Sequence, residues 1–224
     1  MWPKLAIGWA VTLTLLAPLT AFYQHRQLRQ AVAVNRIALY RSALASQFLL
    51  TALTLVVDAR SGTGGIALLV HRLALPVLTA WTAALLGGEL LLWLWFLWQD
   101  RRQPDTPVLK LLPRTRSEYW QFVPVAVGAG VSEEYVVRGF LFSVVASRTG
   151  SLTLAYALTS IVFGAAHLYQ GWQGAARATL IGALLGLPVV LAKSLQPAIV
   201  AHTALDLISA RWGLRLLGRW QRQR

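Results

Sequence analysis

The sequence predicts an all-α polytopic membrane protein, and three observations carry that prediction. Hydrophobic residues make up 56% of the chain and charged residues only 13%, against about 25% charged in ordinary soluble domains. Apolar stretches of helical length recur along all 224 residues, enough for about seven crossings (six to eight) of about 20 residues each. Ionisable residues inside those stretches concentrate in the C-terminal half, where the last four helices are expected to enclose a polar cavity.

The spans read in order are 5–23, 44–57, 73–98, 122–145, 152–168, 175–191 and 195–212. The first follows Lys4 and has the apolar middle of a signal peptide. However, Leu19 and Ala21 suit a small-x-small cleavage site poorly, and His25, Arg26 and Arg29 follow at once, so it is read as a retained helix. The second span is short. Residues 26–41 mix arginines with Leu28, Val32, Ile37 and Leu39 and are expected at the interface, and 71–76 is expected to bend. Three regions result: 1–121, N-terminal membrane helices with basic cytoplasmic loops; 122–212, a membrane core; and 213–224, a basic tail. No internal repeat is visible.

Net charge is +13, from 21 Lys and Arg against 8 Asp and Glu. In a soluble protein that balance would point to nucleic acid. Here the basic residues fall in short segments between apolar runs, and no aromatic-interleaved basic patch occurs, so lipid headgroups and orientation account for them. With seven crossings, one side receives Arg26, Arg29, Arg36, Arg41, Arg101, Arg102, Lys110, Arg114, Arg116, Arg177, Arg211, Arg215, Arg219, Arg222 and Arg224. The other receives Lys4, Arg60, Arg72, Arg148 and Lys193. The asymmetry places the C-terminus in the cytoplasm and the N-terminus outside. Trp93, Trp95, Trp98 and Trp120 flank the largest basic loop as an interfacial aromatic belt would. The chain has no cysteine, which excludes disulfides, thiolate nucleophiles and Cys-based metal sites.

Six ionisable residues of the C-terminal half sit at membrane depth: Glu133, Glu134, Arg138, His167, His202 and Asp206. The first three spans carry only Glu89 deep inside. A charge at mid-bilayer costs at least about 2.5–3.5 kcal/mol, so such residues face a bundle interior and mark function. Glu134 and Arg138 are four apart and share a helix face, as an ion pair would. Glu133 lies about 100° around the helix and is left for other work. Phe163 stands one turn before His167, with small residues between that admit another backbone or a substrate. His202 and Asp206 share a face at i and i+4, where Asp206 fixes the tautomer of His202 or both point into one cavity. His25 and His71 lie near interfaces and are read as uninvolved. Each motif alone also suits a structural hydrogen-bond network. Three on three helices must converge, and two histidines with a free carboxylate are enough to activate water, directly or through a metal.

Glu-Glu-x-x-x-Arg at 133–138, Phe-x-x-x-His at 163–167 and His-x-x-x-Asp at 202–206, in that order on successive apolar helices, resemble the CAAX protease and bacteriocin-processing (CPBP, or Abi) family of intramembrane endopeptidases. The resemblance covers about 122–212 and implies that the last four helices form the catalytic bundle. It implies that Glu133 and His167 activate the attacking water and that His202 and Asp206 stabilise the oxyanion. Glu134, Arg138 and Phe163 would support the site. It also implies a membrane-associated protein or peptide substrate, prenylated C-termini and peptide leaders among them, in a bacterial cytoplasmic membrane. Both a glutamate mechanism and a metalloprotease mechanism are compatible with it; in the second, Glu133, His167 and His202 would bind Zn²⁺ with an open water position. Many members carry Asn at the last motif position. An ionised Asp206 cannot donate a hydrogen bond as Asn does, so it would be protonated, orient His202, or serve a metal.

The same ionisable residues would also suit a proton-coupled transporter, which predicts flux and repeat symmetry. A third reading is a non-catalytic immunity or scaffold protein, which would tolerate loss of Glu133 and His167.

Overall fold

In a computed structural model of the chain, residues 1–31, 33–99 and 110–221 are described. The helices are α1 (Trp2–Gln30), α2 (Arg36–Ser61), α3 (Gly65–Val70), α4 (Leu75–Gln99), α5 (Arg116–Glu133), α6 (Phe142–Thr149), α7 (Leu152–Ala166), α8 (Trp172–Ala192) and α9 (Gln196–Gln221). A π-helical segment, Glu134–Leu141, joins α5 to α6 without a break, and a 3₁₀ turn, Leu168–Gln170, follows α7. No strand occurs among the described residues.

The fold is an all-α polytopic membrane protein. Among the described residues four helices are both long and apolar enough to cross a bilayer: α1, α2, α4 over Leu75–Phe96, and α8. α7 is apolar but only 15 residues long, about 22 Å of helix. The long element 116–149 carries the first motif, α7 and its cap His167 the second, and α9 the third. Each of the seven expected spans falls on one of these long elements. Outward-facing side chains are apolar: Leu15, Leu19, Phe48, Leu49, Leu91 and Trp95 are all exposed, as lipid-facing positions require.

The helix ends follow local chemistry. Asn35 accepts the Ala38 amide at 3.1 Å, Thr115 accepts that of Glu118 at 3.1 Å, and Ser151 accepts that of Leu154 at 3.2 Å, each satisfying an orphan N-terminal donor. Glu118 reaches back to the Arg114 amide at 2.7 Å, which approximates a capping box. Asn35 starts α2 well before the expected span, so Arg36–Arg41 belong to a membrane helix and the interfacial break narrows to the residues between α1 and α2. Lys110 donates to the carbonyls of Leu28 and Ala31 at 2.9 and 3.2 Å, neutralising the end of α1. The expected bend lies between α3 and α4. Arg101, Arg102, Arg222 and Arg224 lie outside the described residues.

α7 packs along α8, α2 along α5, and α4 and α5 along α9. One core joins Ala6, Ala10 and Leu13 of α1 to Tyr135, Phe140, Leu141 and Val144, Ala155 of α7 and Val189 of α8. A second joins Leu85 of α4, Leu185 of α8, and Ala198 and Ala201 of α9. Glycines permit the close approaches: a Cβ on Gly186 would lie 2.9 Å from the Tyr156 ring, and one on Gly130 would lie 3.0 Å from the Ile199 carbonyl.

Candidate active site

The first motif lies where α5 passes into the π segment. π-helix is rare and clusters at functional sites, and its wider turn here sends consecutive side chains to different neighbours. Glu134 is fully buried. Its Oε1 accepts from Arg138 Nη1 at 2.8 Å and from His202 Nδ1 at 2.8 Å. Arg138, also buried, donates from Nη2 to the Gly182 carbonyl at 3.1 Å. Its guanidinium lies 4.1 Å over the Phe163 ring, a cation–π contact strengthened by desolvation. Gly182 is required at that point, because a Cβ there would stand 3.0 Å from both Arg138 Nη2 and Phe163 Cδ1.

His167 caps α7. Its Nδ1 lies 2.8 Å from the Phe163 carbonyl, and a carbonyl only accepts, so Nδ1 carries the proton and Nε2 presents its lone pair. That lone pair faces Glu133 Oε2 at 3.8 Å. Glu133 is about one-third exposed (35%) while His167 is 14% exposed, so the pair opens from a buried wall toward an accessible edge. The Tyr169 ring stands 5.6 Å from that of His167, and His25 Nδ1 donates to the Tyr169 carbonyl at 3.1 Å. The sequence reading set His25 aside; here it ties α1 to the turn that follows His167.

The third motif reaches the same centre from α9. His202 spends Nδ1 on Glu134, and its Nε2 faces Asp206 Oδ2 at 3.9 Å. Phe163 lies between the two imidazoles, 4.5 Å from the His167 ring and 5.8 Å from that of His202. The structure thus brings together all seven residues that the motifs singled out: Glu133, Glu134, Arg138, Phe163, His167, His202 and Asp206. Glu133 with His167, and the buried His202 with the part-exposed Asp206, form its two couples; Glu134 and Arg138 form the buried brace between them.

Two acids outside the motifs bear on this centre. Glu89, fully buried on α4, has no hydrogen-bond partner among the described residues for either carboxyl oxygen. Its electrostatic neighbours are His202 and Asp206 on α9 with Glu134 and Arg138 on the π segment. The α9-facing line of α4 explains this: Leu85 packs with Ala198 and Ala201, Trp93 meets Trp212 at 5.5 Å, and Glu89 falls between them. Asp58, only 2% exposed at the end of α2, accepts from Tyr135 Oη at 2.8 Å. Sequence reading missed it, since it precedes Ala-Arg-Ser-Gly-Thr-Gly-Gly and reads as loop. The available signal was an acid at the edge of a span two positions before Arg60.

A zinc-bound water would need at least three protein ligands converging on one point. Among the described residues no three His, Asp or Glu side chains are so grouped. The arrangement suits proton transfer to and from a water or substrate at the Glu133–His167 edge.

No curated protein and no solved structure matches the chain. Residues 115–208 match the family model described as Type II CAAX prenyl endopeptidase Rce1-like, a stretch that runs from the N-cap of α5 through the third motif. Over that stretch the chain is similar to the Rce1-like type II CAAX prenyl endopeptidases.

Proposed function

We propose that the protein is an intramembrane endopeptidase that hydrolyses a peptide bond of a membrane-associated protein with water activated by Glu133 and His167. The observation that carries this reading is the 3.8 Å separation of Glu133 Oε2 and His167 Nε2, two proton acceptors facing one another at an accessible edge. A water between them gives up a proton to one of them as its oxygen attacks the scissile carbonyl carbon, and that proton later passes to the leaving amine.

The carbonyl oxygen becomes an oxyanion and needs donors. His202 already donates from Nδ1 to Glu134, so it serves the oxyanion by carrying a second proton on Nε2. Asp206, 3.9 Å from that nitrogen, offsets the resulting imidazolium charge. This assigns Asp206 a role that needs no hydrogen bond of its own. Glu134 and Arg138 hold the two couples in register. No step is routed through a metal. Prenylated C-terminal peptides and leader or sorting tails are the substrate classes to test. The distribution of basic residues supports an orientation with the C-terminus in the cytoplasm.

Purified, detergent-solubilised protein would be assayed on farnesylated and unmodified C-terminal peptides, with and without a strong chelator, beside Glu133→Ala. Cleavage lost in the variant and kept under chelation is expected. Full cleavage by Glu133→Ala removes the proposed base, and loss under chelation, restored by Zn²⁺, replaces it with metal-bound water.

A further inference from the structure

The π segment is fixed to three helices by three of its side chains. Glu134 bonds to His202 on α9, Arg138 to the Gly182 carbonyl on α8, and Tyr135 to Asp58 on α2. The first two connections lie within residues 115–208, whereas the third leaves that stretch. Tyr135 is fully buried and Asp58 nearly so, at 2% exposure. Asp58 Oδ2 takes the Tyr135 hydroxyl at 2.8 Å and the Ile66 amide at 2.7 Å, while Oδ1 accepts from Thr63 Oγ1. One carboxylate therefore ties the α2–α3 loop to the segment that carries the paired glutamates.

Backbone packing closes the same joint. Gly65 sits so near the π segment that a Cβ there would lie 2.8 Å from the Gly139 carbonyl carbon and 2.9 Å from the Phe140 nitrogen. The reason such a clamp matters is geometric. A π turn holds one residue more than the α turn it replaces, so relaxation to α-helix rotates the rod before it by about 100° against the rod after it. Glu133 precedes the segment and Arg138 lies within it, so that rotation would separate the carboxylates from His167 and His202.

We propose that Asp58, acting through Tyr135, is a positioning residue for Glu133 and Glu134: the loop 58–66 clamps the π segment and sets where its carboxylates point. The kinetic consequence rests on the protease reading, and the structural one does not. Asp58→Asn turns an amide donor toward one of the donors the carboxylate served, and Tyr135→Phe removes the hydroxyl with little change in volume.

The test measures peptide cleavage and amide hydrogen exchange on Asp58→Asn, Tyr135→Phe and the double variant. Each single variant is expected to lower kcat about ten- to a hundredfold with KM within about twofold, as misplacement of catalytic groups does. The double variant should be no slower than the worse single, because the two residues act as one unit. Exchange should rise over 134–141 in all three while 172–192 stays protected. Unchanged kcat with unchanged exchange overturns the clamp, as does a uniform rise in exchange over every helix, which marks a merely structural bond. If the wild-type protein cleaves no peptide, the protease reading fails; exchange then decides the clamp alone, a rise confined to 134–141 supporting it and unchanged protection overturning it.

Discussion

Glu134 and His202, 68 positions apart in sequence, meet through a 2.8 Å hydrogen bond from Nδ1 to Oε1. The same oxygen holds Arg138 at 2.8 Å, so one buried carboxylate oxygen fixes both His202 and the guanidinium that lies over Phe163. Its other oxygen has no hydrogen-bond partner among the described residues. Among the described residues the bonds of Glu134 therefore pass through Oε1, and loss of Arg138 would strand its carboxylate charge in the protein interior.

Arg138→Met is expected to destabilise the protein by about 3–5 kcal/mol, the cost of stranding one member of a buried ion pair. The Glu134→Gln, Arg138→Met double variant should lose less, because no lone charge remains. Thermal unfolding in detergent checks both. A double variant that loses the sum of the two single effects would show that the two residues do not form a pair.

Glu133 behaves oppositely. It is about one-third exposed (35%), and its recorded partner, His167, stands at 3.8 Å, beyond hydrogen-bond range. Glu133→Gln should leave stability within about 0.5 kcal/mol and lower kcat by about 10²–10⁴, the usual contribution of a general base. Peptide turnover and melting temperature measured on one preparation separate the two effects. A large fall in stability would move Glu133 from chemistry to scaffolding.

Asp206 distinguishes charge balance from donation. In Asp206→Asn the amide can donate to the oxyanion directly, compensating for weaker support of the His202 cation, so kcat is expected to stay within about tenfold of wild type. Asp206→Ala offers neither and should lose about 10²–10³, the value of one oxyanion donor. Equal losses in both variants would mean that the carboxylate charge itself is required.

Much of this was legible in the sequence because its signals are local or expensive. Seven apolar runs need only counting, and Glu134–Arg138 and His202–Asp206 are i, i+4 pairs whose shared face follows from helical pitch. Their convergence could be argued because charges at membrane depth have nowhere else to go. What stayed hidden depends on tertiary contact. Asn35 extends α2 through a stretch whose arginines resembled an interface. The π segment has no sequence signature, since the side chains that hold it, Tyr135, Glu134 and Arg138, find their partners on three other helices. His25 reads as an interfacial residue until the turn at Tyr169 is placed against it.

Glu89 lies between these cases: conspicuous in the sequence, placed only by the structure. Both its oxygens are buried without a hydrogen-bond partner among the described residues, and an unsatisfied buried polar group costs about 1–3 kcal/mol. Glu89→Leu removes that cost and keeps a side chain of similar bulk beside Leu85 and Leu185, so unfolding in detergent should require about 1–3 kcal/mol more than in wild type. Activity provides the second measurement. Because the electrostatic neighbours of Glu89 are His202, Asp206, Glu134 and Arg138, the stabilised variant should turn over peptide more slowly, while Glu89→Gln, which keeps the polar shape, should recover part of the loss. A Glu89→Leu protein less stable than wild type would show that Glu89 is satisfied in the membrane. A stabilised protein with full activity would show that its place beside the site has no part in the chemistry.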